Sequence, residues 1–269
     1  MKKILLFVNP LKAAELAREI TRELGRQGVE TSVFAGEKID AVDAALSLGG
    51  DGTVLFAART VSQLKVPIFP INLGTLGFIS AIPPNEWRAV FDDFVNGRTM
   101  FSRRLMLDVR VQRGMETIFQ SPCLNDAIIS ASVAAKMIRL NVHVGAVSIG
   151  PYRSDGLITA TPTGSTAYSV SAGGPILDPE MEAIVVNPIC PFTLSNRPIV
   201  LPSDDEIVIE VEREQRSGVL LTMDGQTTET LQAGDRIIVR RAEEDALLVC
   251  QDSAKSAFYS ALRTKLAWK

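Results

Sequence analysis

Histidine and cysteine are scarce in this 269-residue chain, which has one histidine, His143, and three cysteines. A histidine-based metal cage or a Ser-His-Asp triad therefore has almost nothing to build with. His143 lies in the alternating run Asn141-Val142-His143-Val144 and reads as an ordinary strand residue. Cys123, Cys190 and Cys250 sit far apart inside apolar runs with no C-x-x-C spacing, so they read as small buried hydrophobes of a reducing compartment. Excess positive charge is also missing. The 28 basic and 31 acidic side chains leave a net charge of −3, which predicts no grip on nucleic acid phosphates or on a lipid surface. Long hydrophobic runs are absent. The stretch Ile4–Val8 after Lys2-Lys3 is too short for a signal peptide and meets Asn9-Pro10, so the chain reads as cytoplasmic with no membrane partner. What is plentiful is core: 46% of residues are hydrophobic, which excludes disorder as the main theme.

The first hundred residues alternate strand and helix signals. Apolar runs at 4–8 and 67–71 have the texture of buried parallel strands, with a β-branched stretch at 29–35. Helical spacing follows at Ala13, Leu16, Ala17, Ile20 and Leu24, and helices are expected over Thr53–Leu64 and Pro84–Asn96. A short helix is expected within Asp40–Leu48, before the third strand. After residue 100 the pattern changes to short period-two runs separated by Gly, Pro and Asp-Gly. The predicted architecture is an α/β domain over 1–100 with a parallel sheet flanked by helices, then an antiparallel, sandwich-like β-rich domain over 101–250. A helical tail over 251–269 is expected to pack on the first domain.

Five short polar or Gly-rich segments carry the chemistry. Gly49-Gly50-Asp51-Gly52-Thr53 lies between an apolar strand and a helix, where glycines bring backbone N–H groups close to a phosphate and a helix start favours its charge. A carboxylate in such an anion cradle makes sense if Asp51 orients or deprotonates a hydroxyl; the plainer alternative is a helix N-cap. Asn72-Leu73-Gly74-Thr75-Leu76-Gly77-Phe78 follows the next strand, at the carboxyl edge where open α/β sheets bind ligands. Asn125-Asp126 sits beside the first apolar stretch of the β domain. Thr161–Ser169, continuing through Ser171, is rich in small hydrogen-bonding groups suited to riboses and phosphates, and Asp224-Gly225-Gln226 reads as a hairpin turn. There is no Walker A lysine, which leaves the donor phosphates to backbone amides and metal.

With GGDGT at 49–53, NLGTLGF at 72–78, Asn125-Asp126, DGLITATPTGSTAYSVSAGGPIL at 155–177, CPFTLSNRPIVLP at 190–202 and DGQ at 224–226, the chain resembles the NAD kinase family nearly end to end. GGDGT alone is shared with lipid and sugar kinases; TPTGSTAY and RPIVLP in this order are far more specific. The resemblance implies a phosphoryl transfer from ATP, or from polyphosphate, to the adenosine 2′-hydroxyl of NAD. It implies Asp51 as the catalytic aspartate, with Gly49, Gly50, Gly52, Thr53 and Asn72 around the phosphates. Asn125 and Asp126 are implied at the adenine-side ribose, Lys136 and Arg153 near the ligand, and Asp155 at the nicotinamide end. Thr163, Thr166, Ala167, Tyr168, Ser169 and Ser171 would bind the dinucleotide, with Gln226 as a further contact. The resemblance also implies Mg2+ and a homodimer or homotetramer. Phe192 stands where many relatives have histidine, and Asp126 where many have glutamate, an acceptor of longer reach. The alternatives are a lipid or sugar kinase and a non-catalytic dinucleotide sensor; an intact Asp51 and the polar 161–171 loop argue against them.

Overall fold

The computed structural model describes residues 2–39, 41–74, 77–193, 195–251 and 254–265, leaving aside the side chains of 254, 255 and 257. Thr75 and Leu76 of the second glycine motif, Leu194, and Leu266 and the Ala257 side chain on the expected helix face lie outside the described residues. Two compact units emerge, one of Met1–Arg104 with Glu244–Lys269, the other of Leu105–Glu243.

In the first unit, β1 (Lys3–Val8), α1 (Ala14–Arg26), β2 (Glu30–Val33), β3 (Ala44–Gly49), α2 (Asp51–Val61) and β4 (Pro67–Asn72) follow one another. The strand–helix–strand units β1-α1-β2 and β3-α2-β4 thus run in opposite directions across the sheet: β1 pairs in parallel with β2 on one side and with β3 on the other, and β3 pairs with β4. Ile4, Leu6, Leu46, Leu48, Phe69 and Ile71 join Ile20 and Leu24 of α1 in one buried cluster. The short helix expected before β3 is not formed. Asp43 instead sits at a bend just before β3, its N–H donating to Lys3 O at 2.8 Å and its carboxylate accepting the Lys3 N–H at 2.9 Å, which ties it to β1. Helix α3 (Trp87–Val95) and β5 (Met100–Arg104) complete this stretch.

The second unit holds β6 (Leu107–Arg113), β7 (Glu116–Cys123), β8 (Asp126–Ala131), β9 (Ile138–Val144), β10 (Val147–Ser154), β11 (Gly156–Ala160), α4 (Tyr168–Ser171) and β12 (Ala183–Ile189). It continues through β13 (Ile199–Pro202), β14 (Ile207–Val211), β15 (Val219–Met223), β16 (Thr227–Leu231) and β17 (Arg236–Arg241). Two six-stranded sheets result, ordered β10-β9-β14-β17-β6-β7 and β13-β12-β11-β8-β15-β16, with antiparallel pairing throughout. Alternate residues of both sheets, among them Val109, Val142, Ile209, Ile129, Leu157 and Leu221, share one core, the arrangement of a sandwich. Strand β11 is buried on both faces because Ile158 and Ala160 meet Leu177 and Val185 in a second cluster. His143 is a strand residue of β9. Cys190 departs from the expectation of burial: it follows β12 in a left-handed conformation, φ 45°, and is exposed, whereas Cys123 is buried.

The chain then returns to the first unit as β18 (Ala246–Cys250) and α5 (Ala254–Lys265). Strand β18 falls within the stretch assigned from sequence to the β-rich domain, yet it lies in the first sheet, parallel to β4 and antiparallel to β5. The order β2-β1-β3-β4-β18-β5 is completed by the end of the sequence, which local periodicity does not register. Phe258 of α5 sits 6.3 Å from Phe78, ring to ring.

Candidate active site

The carboxyl ends of β1, β3 and β4 open into a cleft of about 430 Å³. It lies where strand order reverses about β1, the place at which α/β sheets bind ligands. Gly49, Gly50, Asp51, Gly52, Thr53 and Asn72 all line it, with Asn9, Lys12, Leu73, Gly74, Gly77 and Lys265. Close approach requires two of the glycines. A Cβ on Gly49 would lie 2.1 Å from Thr53 Oγ1, and one on Gly77 would lie 1.8 Å from Asp51 Oδ1. Asn72 Oδ1 accepts the Gly74 N–H at 2.8 Å, which turns the chain as it leaves β4.

Asp51 is not the helix N-cap; Gly50 holds that position and Asp51 is the first helical residue. Its carboxylate reaches across to the 77–80 segment. Oδ1 accepts the Ser80 N–H at 2.9 Å and the Ser80 hydroxyl at 2.6 Å, with the Ile79 N–H longer at 3.4 Å, and Oδ2 accepts the Phe78 N–H at 3.0 Å. An ionised carboxylate has about four lone-pair sites. Oδ1 is thus crowded with protein donors, and Oδ2 keeps room for one more. Among the described residues no three His, Cys, Asp or Glu side chains converge as a metal cage.

In the second unit the hub is Asn125-Asp126. Asp224, at a hairpin where Asp224 and Gly225 both take positive φ (50° and 64°), accepts three successive backbone N–H groups: Leu124 at 3.1 Å, Asn125 at 2.7 Å and Asp126 at 3.3 Å. The Thr161 hydroxyl donates to Leu124 O at 2.6 Å, and the Thr161 N–H to Asn125 O at 2.9 Å. Gly164 packs so closely that a Cβ would lie 2.0 Å from Asn125 O. Asn125 Oδ1 is buried without a partner among the described residues, an acceptor that a ligand hydroxyl would satisfy. Burial, reinforced by the Asp224 charge, pushes the Asp126 carboxyl up to about 7.

The other expected residues spread around this hub. Thr163 is buried beside the 3₁₀ turn Gly164–Thr166; Thr166 and Ala167 are half-buried, and Tyr168 and Ser171 are exposed. Ser169 is fully buried, and its carbonyl and hydroxyl accept from Asn187 Nδ2 at 2.9 and 3.2 Å, so its side chain faces the protein rather than a cleft. Lys136 and Arg153 share a separate recess of about 190 Å³ with Arg139, Glu214 and Arg216. The Arg153 guanidinium lies 5.0 Å from the Phe192 ring, a cation–π contact. Asp155 is half-buried, its N–H donating to Ile189 O at 3.0 Å, and Gln226 is exposed on the Asp224 hairpin. Sequence reasoning missed Ser80, Lys12 and Lys265, and took Asp224 for a turn residue only. An Asp-Gly pair between two alternating runs signals a hairpin whether or not its carboxylate has a distant task.

Comparison with known proteins identifies the family. Residues 11–99 match the ATP-NAD kinase N-terminal domain and residues 124–250 the ATP-NAD kinase C-terminal domain. The NAD kinase of Treponema denticola is 40% identical over 277 residues, covering 100% of this chain and 97% of that protein. That of Geobacter sulfurreducens is 41% identical over 260 residues, covering 96% and 88%. The fold is similar to that of an NAD kinase from Archaeoglobus fulgidus in complex with ATP, with a TM-score of 0.77 and 26% identity over 98% of this chain and 99% of that one. Yeast NADH kinase, solved with NADH, has the same fold at a TM-score of 0.91 and 23% identity, over 100% and 88%. With both domain matches in order and full-length relatives at this identity, the chain belongs to the NAD kinase family.

Proposed function

We propose that the chain transfers a phosphoryl group from ATP, or from polyphosphate, to the adenosine 2′-hydroxyl of NAD, giving NADP. The observation that carries this reading is the Asp51 carboxylate, held by Phe78 and Ser80 at the start of α2 inside a glycine-walled cleft. A protein that only binds a dinucleotide gains nothing from a fixed anion beside phosphates. A kinase does, because phosphoryl transfer depends chiefly on positioning and charge stabilisation.

In this reading Asp51 Oδ2 accepts the 2′-hydroxyl proton as a hydrogen bond and aims the oxygen at the donor's terminal phosphorus. The new O–P bond forms as the bond from phosphorus to the donor's bridging oxygen breaks. The electron pair of that bond leaves with the donor, and the proton passes late to Asp51 and then to water. A carboxylate is a far weaker base than an alkoxide, so the proton moves only as the oxygen bonds to phosphorus. Asn125 and Asp126 hold the adenine-side ribose, with Thr163, Thr166, Ala167, Tyr168 and Ser171 along the dinucleotide, and Lys136, Arg153, Asp155 and Gln226 as outlying contacts.

Among the described residues Asp51 is the one carboxylate lining the cleft, and its oxygens already carry protein donors, so these side chains do not form a magnesium site by themselves. Mg2+ would arrive on the donor's phosphates, whose charge it neutralises. We place the reaction in the cytoplasm, in a homodimer or homotetramer, which sedimentation would measure.

The test is NADP formation from NAD with Mg-ATP, followed by an NADP-specific coupled dehydrogenase, with Asp51→Asn alongside. Turnover in the parent and none in the variant, with NAD binding retained in both, is expected. Binding without turnover under ATP and polyphosphate alike would instead indicate a dinucleotide sensor.

A further inference from the structure

The cleft around Asp51 has a charge problem. Donor phosphates bring several negative charges to a place that already holds a carboxylate. Backbone amides and the α2 N-terminus offer only partial positive charge, about half an elementary charge for a helix end. P-loop enzymes add a lysine from their motif, and this chain has no such motif. Among the described residues two cations nevertheless line the cleft, one from each end of the sequence: Lys12 and Lys265. We propose, on the basis of the kinase reading above, that Lys12 and Lys265 are the donor-phosphate clamp, in place of a motif lysine.

Lys12 is put there by the turn that ends β1. Asn9 Oδ1 accepts the Leu11 N–H at 3.1 Å, and Asn9 O accepts the Lys12 N–H at 3.2 Å, so the chain doubles back beside the glycine loop that follows β3. Lys265 is put there by α5, in the helix's last turn. Its Nζ lies 4.8 Å from the centre of the Phe78 ring. The ring fixes the ammonium without consuming its N–H donors, because the attraction is to the π face. Phe78 is also the residue whose N–H donates to Asp51 Oδ2 at 3.0 Å, and its ring is flanked by Phe258 at 6.3 Å. One residue therefore sets the separation between the catalytic carboxylate and a donor-site cation. Among the described residues neither lysine forms an ion pair, although Lys65 finds Glu244 and eight arginines find carboxylates. Lys12 and Lys265 remain available to an anionic ligand.

The experiment compares the parent with Lys12→Ala, Lys265→Ala, the double variant and Lys265→Arg. Both side chains are exposed, so the variants should melt with the parent. Two readouts are taken: the KM for ATP against the KM for NAD, and the affinity for inorganic tripolyphosphate by calorimetry, which needs no turnover. Each alanine should raise the ATP KM and the tripolyphosphate Kd about tenfold, and the pair about a hundredfold, the scale of a charge-assisted contact. The KM for NAD should stay within about twofold, and Lys265→Arg should retain most of the parent's affinity. Tripolyphosphate affinity and ATP KM within about twofold of the parent in the double variant would overturn the clamp. Because tripolyphosphate binding is read without NAD, a parent that forms no NADP would sink the kinase reading while leaving the clamp separately judged.

Discussion

Ser80 Oγ lies 2.6 Å from Asp51 Oδ1, and the backbone N–H of the same serine reaches that oxygen at 2.9 Å. The carboxylate is thus anchored through one oxygen by a residue 29 positions away. Removing the hydroxyl with Ser80→Ala should loosen the carboxylate while leaving it in place. The expected result is a fall in kcat of about tenfold with both KM values nearly unchanged, the scale of one hydrogen bond to a charged group. Steady-state kinetics would show it; a change confined to KM would place Ser80 in binding instead.

The glycines of the cleft should separate into two kinds. At Gly77 a Cβ would meet Asp51 Oδ1 at 1.8 Å and Ser80 Oγ at 2.3 Å, whereas at Gly50 it would meet nothing within 4 Å. Gly77→Ala should displace the carboxylate and lower kcat by about a hundredfold or more, since misplacing a reacting group by about 1 Å costs that much. Gly50→Ala should leave the melting temperature unchanged and act only on the donor KM, because its open side faces the cleft. Melting curves and kinetics on the two variants are sufficient.

Asp126 predicts an unusual pH dependence of stability. Its carboxyl titrates near 7 in the native state, from an ordinary value of 3.8, because it is buried and faces the Asp224 charge. Between those values the native protein holds a proton that the unfolded chain has released. This group's contribution is therefore full at low pH and is lost as pH rises toward 7. The upper bound is about 4 kcal/mol at about 1.4 kcal/mol per unit. Urea denaturation at pH 5 and pH 8 should show the parent losing stability relative to Asp126→Asn. Equal pH slopes in the two proteins would contradict the assignment.

Asp235 should behave in the opposite sense. Burial alone would raise its carboxyl, but the Arg113 guanidinium at 2.8 and 2.9 Å, with the Gln232 N–H at 2.7 Å, brings it below the usual carboxylate range. Its contribution is present at neutral pH and is lost as pH falls through the lowered native value. Asp235→Asn should lower stability at pH 7 by about 1–3 kcal/mol, discounted for the partly exposed arginine. The difference from the parent should narrow in acid denaturation below pH ~4.

The parts of the fold that were legible in the sequence are those set by near neighbours. Runs such as Ile4–Val8 and Pro67–Ile71 form strands because their apolar content is local, and the glycine motifs stand at strand ends as their spacing implies. The helix expected before β3 failed because Asp43 bonds to Lys3, 40 residues away. Asp224 looked like a turn residue because its partner Asn125 is 99 positions distant. Lys12 and Lys265 carry no motif of their own; only the folded sheet and the final helix bring them to one cleft. Periodicity reports which face of an element is buried, not which distant side chain it will meet.

Strand β18 has a consequence for how the protein is made. It fills the place between β4 and β5, but it is translated after the whole of the second unit. On the ribosome, the nascent chain displays β4 and β5 with unpaired edges for as long as residues 105–243 are being added. Those residues form a contiguous unit and can complete both of their sheets first, so the amino-terminal unit finishes folding last, against the usual order of synthesis. Until Ala246–Cys250 emerges, the β4 edge is an open template for strands of other chains, and a product truncated before it would pair a finished second unit with an adhesive first one.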